Sequence, residues 1–457
     1  MTPDLRTRRF SILGGARSGL AVAALLKARG ARVFLSDRAT AEKMRTAEDE
    51  LRRLGVPFEF GVNSPRVLEA DTLVISPGVP SDTPVVMEAI AKGISVVSEL
   101  EVASWFCPAP IVAITGTNGK TTTTVLAGRM FSDARVPSVI AGNIGTAFSQ
   151  VVGNTAAHGA AILEVSSFQL DHIQRFRPKV AAILNITPDH LDRYGNSFER
   201  YSASKRRIFE NQAKDDSLIY NADDDMTRRA VEDHVSSEVT LLPFSTRRQL
   251  DRGAFVSDGN LTTIVAGKKR ELIPTEAITI RGEHNLANAM AATLAALAMH
   301  VPAASLRATL KNFKGVEHRL EFVREFDGVT YVNDSKATNV DSVWHALQSF
   351  SNPLIVLIGG RDKGNDYSTL INAAREHVKA VVAIGESAEK VTAAFSPVIR
   401  TFSAGTMQDA VEKARDLASP GDVVLLSPAC ASFDWFDNYE HRGRVFKEIV
   451  MHLGVPG

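Results

Sequence analysis

The chain has 457 residues, of which 44% are hydrophobic and 23% charged. These values are typical of globular proteins and exclude a disordered chain, a coiled coil and a collagen-like fibre. At about 100–200 residues per domain, the length allows two to four domains. The 52 basic and 52 acidic side chains cancel, so a bulk positive charge for nucleic acid or membrane binding is missing. Any polyanionic ligand must be held by a few well-placed groups.

Cysteine content and hydropathy bear on the cellular location. Cys107 and Cys430 are the only cysteines, too few for a disulfide framework, which favours a reducing compartment. Basic residues near the N-terminus precede an apolar stretch, as in an export signal, but Arg17 and Lys27 interrupt that stretch. A run of about 18 apolar residues is missing too. We therefore expect a cytoplasmic protein, monomeric, with neither a nucleic-acid partner nor membrane insertion.

Strands and helices alternate in the first part of the chain, which predicts a parallel sheet with right-handed crossovers. A helix is predicted at 20–29, and the proline-bounded segment 105–110 ends this part. The predicted strands are 9–13, 31–35 and 72–75.

The middle part begins with a strand at 111–114, and the alternation resumes after 313–315. Short β-type runs dominate 240–280, and an Ala-rich helix is predicted at 284–300. We therefore predict three α/β domains, 1–108, 109–315 and 316–457. The other predicted strands are 160–163, 180–184, 217–220, 329–332, 354–358, 381–384 and 423–426.

The sharpest motif is TGTNGKT at Thr115–Thr121, between a strand and a helical run. Backbone amides of a glycine-bearing loop at a helix N-terminus bind phosphate oxygens. Lys120 would reach the β- and γ-phosphates, and Thr121 or Thr122 would hold Mg²⁺. The motif departs from GxxxxGK[ST] because Ile114 replaces the first glycine, and the alternative is a plain strand–turn–helix junction. The pattern favours binding of a nucleoside triphosphate in a P-loop-type domain.

Two further polar residues follow buried strands, where α/β folds bind ligands. Glu164 ends the strand before VSSFQL, and His190 follows another strand in NITPDHLDRYG. Taken alone, Glu164 is equally consistent with a solvated strand end, and a histidine at such a place is more often structural. Both gain weight because a phosphate loop needs nearby metal ligands.

Two other glycine-rich turns are candidates for anion binding. GGARSGL at Gly14–Leu20 follows the first strand and Asp37 ends the second, but Ala16 makes this a weak dinucleotide fingerprint. The segment IGGRDKGNDY at Ile358–Tyr367 is the other. The alternative for each is a tight α/β connection.

In this order the motifs resemble the Mur ligase family, the ATP-dependent amide-forming enzymes of peptidoglycan synthesis. The resemblance covers nearly the whole chain and includes GNIG at Gly142–Gly145, GEHNLANAMAA at Gly282–Ala292 and EHRLE at Glu317–Glu321. It implies a Rossmann-like, UDP-binding first domain, a central ATPase domain with a mixed or parallel sheet, and a Rossmann-like third domain.

The last third resembles one branch of this family. NDSKATN at Asn333–Asn339 lacks the histidine and proline of the D-x-x-H-x-P type motif, and DNP[RK] is missing. Together with GGRDKG and LSPACASFDWF, this form is similar to the branch that adds D-glutamate to UDP-N-acetylmuramoyl-L-alanine. A member that adds another amino acid is the first alternative. The second, a silent nucleotide-binding protein, has no need of Lys120, Glu164, His190 and Lys205 together.

The resemblance also implies roles for individual residues. Two Mg²⁺ ions are expected, with Lys205 carbamylated and acting as a metal ligand. Arg361 receives no role, and GGARSGL is less glycine-rich than the common GLGxSG form. The implied catalytic residues are Lys120, Glu164, His190 and Lys205. The implied metal ligands are Thr121, Glu164, His190 and Lys205. The implied ATP contacts are Gly116, Thr117, Asn118, Gly119, Lys120, Thr121, Thr122, Asn285, Asn288, His318, Arg319 and Asp334. The implied substrate contacts are Ser18, Asp37, Arg38, Asn143, Ser166, Gln169 and His190 for the UDP-sugar, and Lys336, Thr338, Lys363, Ser432 and Phe433 for D-glutamate.

Overall fold

A computed structural model describes residues 5–362 and 364–454. The chain forms three β-sheets with flanking helices. The predicted α/β class is therefore confirmed, and the boundaries after residues 108 and 315 stay a prediction.

The first sheet is parallel, in the order β3-β2-β1-β4-β5. Its first helix begins earlier than predicted, at Arg17, because Gly19 packs closely on the Gly14 carbonyl. A Cβ added to Gly19 would lie 1.8 Å from that oxygen. The strands are β1 (Arg9–Leu13), β2 (Arg32–Asp37), β3 (Phe58–Phe60), β4 (Thr72–Ile75) and β5 (Ser95–Ser98), and the helices are α1 (Arg17–Ala28), α2 (Arg45–Leu54), α3 (Pro84–Ala91) and α4 (Glu99–Ser104).

The second sheet has nine strands, in the order β14-β13-β12-β11-β10-β9-β6-β8-β7. Strands up to β12 pair in parallel and the last two pair antiparallel. The strands are β6 (Ile111–Thr115), β7 (Ser138–Gly142), β8 (Ala160–Glu164), β9 (Val180–Ile183), β10 (Ser217–Asn221), β11 (Thr240–Ser245), β12 (Gly253–Ser257), β13 (Asn260–Val265) and β14 (Lys268–Pro274). The helices are α5 (Lys120–Asp133), α6 (Phe148–Val151), α7 (Ser167–Leu170), α8 (Phe198–Arg206), α9 (Asp225–Glu232), α10 (Glu283–Ala298) and α11 (Ala303–Asn312).

The third sheet follows the order β15-β16-β20-β17-β18-β19, with only its edge strand antiparallel among the pairs described. The strands are β15 (Glu321–Phe326), β16 (Val329–Asn333), β17 (Leu354–Gly359), β18 (Val378–Ile384), β19 (Arg400–Ser403) and β20 (Val423–Leu426). The helices are α12 (Val340–Leu347), α13 (Ile371–His377), α14 (Ala388–Phe395), α15 (Met407–Leu417) and α16 (Tyr439–His452).

Two compact units contain these sheets. The first unit holds the chain up to Ile278 together with Leu286–Phe313, and the second holds Thr279–Asn285 and the chain from Lys314 onward. The first two sheets share a unit because one apolar core cluster runs from Phe10 to residues of the second sheet such as Leu163.

A buried carboxylate strengthens the junction between the first two sheets. Glu101 of α4 accepts hydrogen bonds from the backbone amides of Gln174, Arg175 and Phe176 at 2.8–3.0 Å. Multiple amide donors to one buried carboxylate fix its position. In the part of the chain that the structure describes, we find no helix long and apolar enough to cross a membrane.

Candidate active site

The phosphate loop lies at the carboxyl end of β6, whose five residues are all buried. Gly119 caps α5 with a left-handed backbone, φ +81°. A Cβ at this position would lie 2.2 Å from Asn288 Oδ1. Since α5 begins at Lys120, the amides of this turn lie at a helix N-terminus, where an anion is favoured.

Lys120 and Lys205 meet at one carbonyl of this loop. Lys120 Nζ donates to the Gly116 oxygen at 2.8 Å and to the Thr117 oxygen at 2.6 Å. Lys205 Nζ, from α8, donates to the same Gly116 oxygen at 2.8 Å. Two amino groups far apart in sequence therefore share one acceptor in the loop that is expected to bind the phosphates.

The environment of Lys205 opposes its protonation. Its side chain is 2% exposed and stacks on the Tyr201 ring, with Nζ 4.7 Å from the ring centroid. Burial lowers the pKa of Lys205 well below its ordinary value, and the positive charge of Lys120 lowers it further, against the opposing effect of Asp189 and Asp171. The folded chain therefore favours a neutral, nucleophilic amine at this position.

Glu164 joins the phosphate loop to the GNIG segment. Its Oε2 accepts from Thr121 Oγ1 at 2.7 Å, and its Oε1 accepts from Asn143 Nδ2 at 2.9 Å. The parallel register pairs Ile114 of β6 with Glu164 of β8, which brings these groups to one edge. A buried carboxylate beside a hydroxyl is the hard oxygen donor set that Mg²⁺ prefers.

His190 lies on the loop that follows β9, the other neighbour of β6. Its backbone is left-handed, φ +52°, and its amide donates to Asp189 Oδ1 at 3.0 Å. The imidazole packs edge to face on Phe168, with ring centroids 5.3 Å apart. Because β9, β6 and β8 are parallel and adjacent, their carboxyl ends bring the His190 loop, the phosphate loop and Glu164 to one edge of the sheet.

At the carboxyl edge of the first sheet, Asp37 binds the backbone of the glycine-rich turn. Its carboxylate accepts the amides of Gly15 at 2.6 Å and Ala39 at 2.7 Å. Ser18 is half-buried in the first turn of α1, and Arg38 is exposed and lines a cleft of about 420 Å³. The backbone bonds of Asp37 show that it shapes the turn.

In the second unit, Asp334 is a buried acid between two segments of the third sheet. Its oxygens accept from the Leu320 amide at 3.2 Å and from Ser427 Oγ at 2.9 Å. Burial raises the pKa of Asp334 to about 6, although the charge of Arg319 acts in the opposite direction. Nearby, His318 is buried and its Nδ1 lies 2.9 Å from Asn333 Nδ2.

Four of the five residues implied for D-glutamate follow β16 and β20, which are adjacent. Lys336 Nζ donates to the Tyr439 hydroxyl at 3.2 Å and lies 5.1 Å from that ring's centroid. Ser432 is buried, Thr338 half-buried and Phe433 60% exposed. Lys363 lies outside the described residues.

A buried guanidinium links the segment that follows β16 to the segment that follows β20. Arg442 is 1% exposed and donates to Ser335 Oγ at 2.9 Å, to the Ser335 carbonyl at 2.8 Å and to the Cys430 carbonyl at 3.1 Å. Burial lowers the pKa of Arg442 to about 10. Since one charged group binds both segments, their relative position is fixed within this sheet.

Comparison with known proteins identifies the family. Residues 8–98 match the Mur ligase MurD-like N-terminal domain, 114–296 the Mur ligase middle domain, and 318–430 the Mur ligase glutamate ligase domain. A UDP-N-acetylmuramoylalanine–D-glutamate ligase of Salinibacter ruber is 48% identical over 99% of this chain and 100% of its own length. A ligase of the same name from Chloroherpeton thalassium is 44% identical over 98% of this chain and 99% of its own length. The chain belongs to the Mur ligase family.

Solved structures with the same fold are more distant in sequence. A pseudomurein peptide ligase type C of Methanothermus fervidus aligns with this Mur ligase at a TM-score of 0.61 and 18% identity, covering 98% of this chain and 100% of that one. A UDP-N-acetylmuramate–alanine ligase of Thermotoga maritima aligns at 0.57 and 21%, covering 97% and 99%. At these identities the likeness shows the fold of this Mur ligase alone.

Several structural contacts of this Mur ligase were missed by sequence reasoning, although Asn185, Asn118 and Thr117 stand in quoted motifs. Asn185 of NITPDH accepts the Asn118 amide at 2.8 Å on its Oδ1 and the Thr117 amide at 3.0 Å on its carbonyl. The Tyr201 hydroxyl lies 3.0 Å from Thr117 Oγ1. The available signal was that Asn185 is a polar residue directly after the predicted strand 180–184, which neighbours β6.

Other implied residues of this Mur ligase make structural contacts of their own. The Ser166 amide donates to Gln169 Oε1 at 3.0 Å, which closes the first turn of α7. Asn288 Oδ1 accepts from Thr123 Oγ1 at 3.3 Å in the first unit. Asn285 belongs to the second unit, where its Nδ2 donates to the Arg281 carbonyl at 2.8 Å.

Proposed function

We propose that this chain joins D-glutamate to UDP-N-acetylmuramoyl-L-alanine with hydrolysis of ATP to ADP and phosphate. The observation that carries the proposal is the shared edge of the central sheet. There Lys120 and Lys205 meet at the Gly116 carbonyl, and Thr121 meets Glu164. The names of the full-length relatives from Salinibacter and Chloroherpeton support the choice of amino acid.

The reaction needs activation of a poor acyl donor. Transfer of the γ-phosphoryl group from ATP to the substrate carboxylate gives an acyl phosphate and ADP. The D-glutamate amine then attacks the acyl carbon, phosphate leaves with the C–O bonding electrons, and the amine loses its proton as the amide forms. Catalysis of this kind depends on positioning and on neutralising phosphoryl charge.

The chain's own groups divide this work. The amides of Gly116–Lys120 and the Lys120 ammonium bind the β- and γ-phosphates. Thr121 and Glu164 hold one Mg²⁺, and His190 with carbamylated Lys205 holds a second. Bound Mg²⁺ supplies charge neutralisation at the phosphoryl oxygens. Lys336, Thr338, Ser432 and Phe433, which follow strands of the third sheet, hold D-glutamate together with Lys363.

Carbamylation of Lys205 is favoured by its environment. A neutral amine adds to CO₂ and releases a proton, which leaves a carbamate anion in place of an ammonium ion. Burial and the neighbouring Lys120 both lower the pKa of the Lys205 amine, which favours its neutral form. A carbamate there would offer the oxygen ligands that Mg²⁺ requires, and it would pair with Lys120 across the phosphate loop.

The test is phosphate release with UDP-N-acetylmuramoyl-L-alanine, ATP and Mg²⁺ while the amino acid is varied. Activity with D-glutamate alone is expected. Equal activity with L-alanine or diaminopimelate, or activity with none of them, would overturn the proposal.

In the same assay, Lys205→Ala should abolish ligation and leave binding of the UDP-substrate intact, whereas the exposed Lys214→Ala should retain full activity. Depletion of CO₂ should lower wild-type activity reversibly. Full activity of Lys205→Ala would reject the carbamate.

A further inference from the structure

Arg193 joins the first sheet to the central site. Its Nη2 donates to the carbonyl oxygens of Pro77 at 3.3 Å and of Val79 at 3.2 Å. Its guanidinium carbon lies 4.3 Å from the centroid of the Phe168 ring. A single half-buried side chain therefore contacts two segments that are far away in the sequence.

The first of these segments, residues 76–79, forms part of the carboxyl edge of the first sheet, and we call it the bridge loop. It follows β4 and contacts the glycine-rich turn, because Ser76 Oγ donates a hydrogen bond to the Gly14 carbonyl at 3.0 Å. A Cβ on Gly14 would lie 3.2 Å from Val79 Cγ2. The bridge loop and the turn that is expected to hold UDP therefore pack together as one surface of the first sheet.

The second segment is the part of the central site that is expected to meet the sugar. Phe168 stands between Ser166 and Gln169, and its ring packs on the His190 imidazole. Arg193 follows His190 by three residues on the same loop. The guanidinium thus donates hydrogen bonds to the bridge loop and lies over the Phe168 ring of the sugar-facing segment.

Arginine suits this role better than lysine. A planar guanidinium can donate to two carbonyls and stack on an aromatic ring at once, whereas an ammonium is a compact point charge. The acceptors are main-chain oxygens, so the contact fixes the position of the bridge loop and does not depend on its side chains.

We propose that Arg193 is a positioning residue that fixes the distance between the UDP end and the reacting carboxylate end of the bound UDP-sugar. This inference rests on the proposed function for the identity of that substrate. UDP alone is expected to contact only the first sheet, whereas the whole substrate must reach both the first sheet and the central site. Loss of Arg193 therefore weakens binding of the whole substrate and leaves binding of UDP unchanged.

The experiment compares wild type with Arg193→Gln, Arg193→Lys and the matched control Arg200→Gln, which removes an exposed arginine seven residues further along. Calorimetry gives the Kd of UDP and of UDP-N-acetylmuramoyl-L-alanine, and steady-state kinetics give kcat and each KM. For Arg193→Gln we expect the Kd of the whole substrate to rise about tenfold and kcat to fall about 10–100-fold. The Kd of UDP and the KM for ATP should stay within about twofold of wild type. Arg193→Lys should recover part of the loss, and Arg200→Gln should match wild type.

Three outcomes would overturn the inference: unchanged constants in Arg193→Gln, an equal loss of affinity for UDP and for the whole substrate, or a parallel rise in the KM for ATP. The second would mean a direct contact with UDP, and the third a general loss of structure. If the wild-type enzyme ligated no D-glutamate, the proposed function would fail. The two binding constants would still report on the role of Arg193.

Discussion

The ionisation of individual residues in this chain depends on burial as much as on residue type. Asp334 and Lys205 are both nearly inaccessible, and burial shifts the pKa of each toward its neutral form. The sequence shows an acid and a lysine in family motifs. Only the surrounding packing determines how easily each of them ionises.

The raised pKa of Asp334 predicts a pH-dependent stability. Because the folded state holds its proton up to about pH 6, and the unfolded state only to about pH 4, stability falls as pH rises through this window. Asp334→Asn, which mimics the protonated acid, should therefore be more stable than wild type at pH 7, by up to about 3 kcal/mol. The gain should shrink to about 0.5 kcal/mol at pH 4.

Denaturant unfolding of wild type and Asp334→Asn at both pH values measures this difference. The exposed Asp416→Asn is the matched control and should show no such pH-dependent gain. A destabilised Asp334→Asn at pH 7 would mean that pairing with Arg319 outweighs the cost of burial.

At the level of elements, the phosphate turn depends on one glycine. Gly119 caps α5 at a positive φ, and an added Cβ would lie 2.2 Å from Asn288 Oδ1 and 3.2 Å from Leu184 Cδ1. A side chain there must strain the backbone and push against the helix that carries Asn288.

Gly119→Ala should therefore lower both stability and ATP affinity. We expect a loss of about 1–2 kcal/mol from the left-handed backbone and at least about tenfold weaker ATP binding, because the loop amides are re-aimed. Thermal melting and calorimetry with Mg²⁺–ATP measure the two effects. Gly153→Ala, with open space around its Cβ, should match wild type, and normal ATP binding by Gly119→Ala would contradict this role.

Much of this element structure follows from local sequence. Strands β1, β4 and β20 begin and end where the apolar runs predict, because short buried runs between turn residues have few other solutions. Helix α1 begins earlier than predicted because its first turn depends on the contact of Gly19 with Gly14, which periodicity does not reveal.

For the whole molecule, the three sheets predict three separate responses to ligands. UDP should slow amide hydrogen exchange in residues 14–18, 37–39 and 76–79, and Mg²⁺–ATP should slow it in 116–122. D-glutamate, added with the other substrates, should slow it in 333–339 and 426–436. The reason is that UDP, most of the ATP contacts and D-glutamate are each expected at the carboxyl edge of a different sheet.

Hydrogen-exchange mass spectrometry with each ligand in turn tests this assignment. The exposed turn at 258–259, between β12 and β13, serves as an internal control that no ligand should protect. Protection of 333–339 by UDP alone would contradict the assignment of substrates to sheets.

The sequence by itself determined the α/β class, the position of the phosphate loop and the family resemblance. Each of these depends on features of contiguous residues, namely turn glycines, apolar runs and short ordered motifs. It also determined that a formally neutral chain must bind its anionic substrates through a few placed cations.

Only the tertiary structure decided which of these residues meet. The order β9-β6-β8 places Glu164 beside Thr121, and the burial of α8 carries Lys205 to the Gly116 carbonyl. Arg193 contacts the bridge loop, from which it is separated by more than a hundred residues in the sequence. Such contacts depend on strand order and helix packing, which arise from the burial of the whole apolar surface and not from any local pattern.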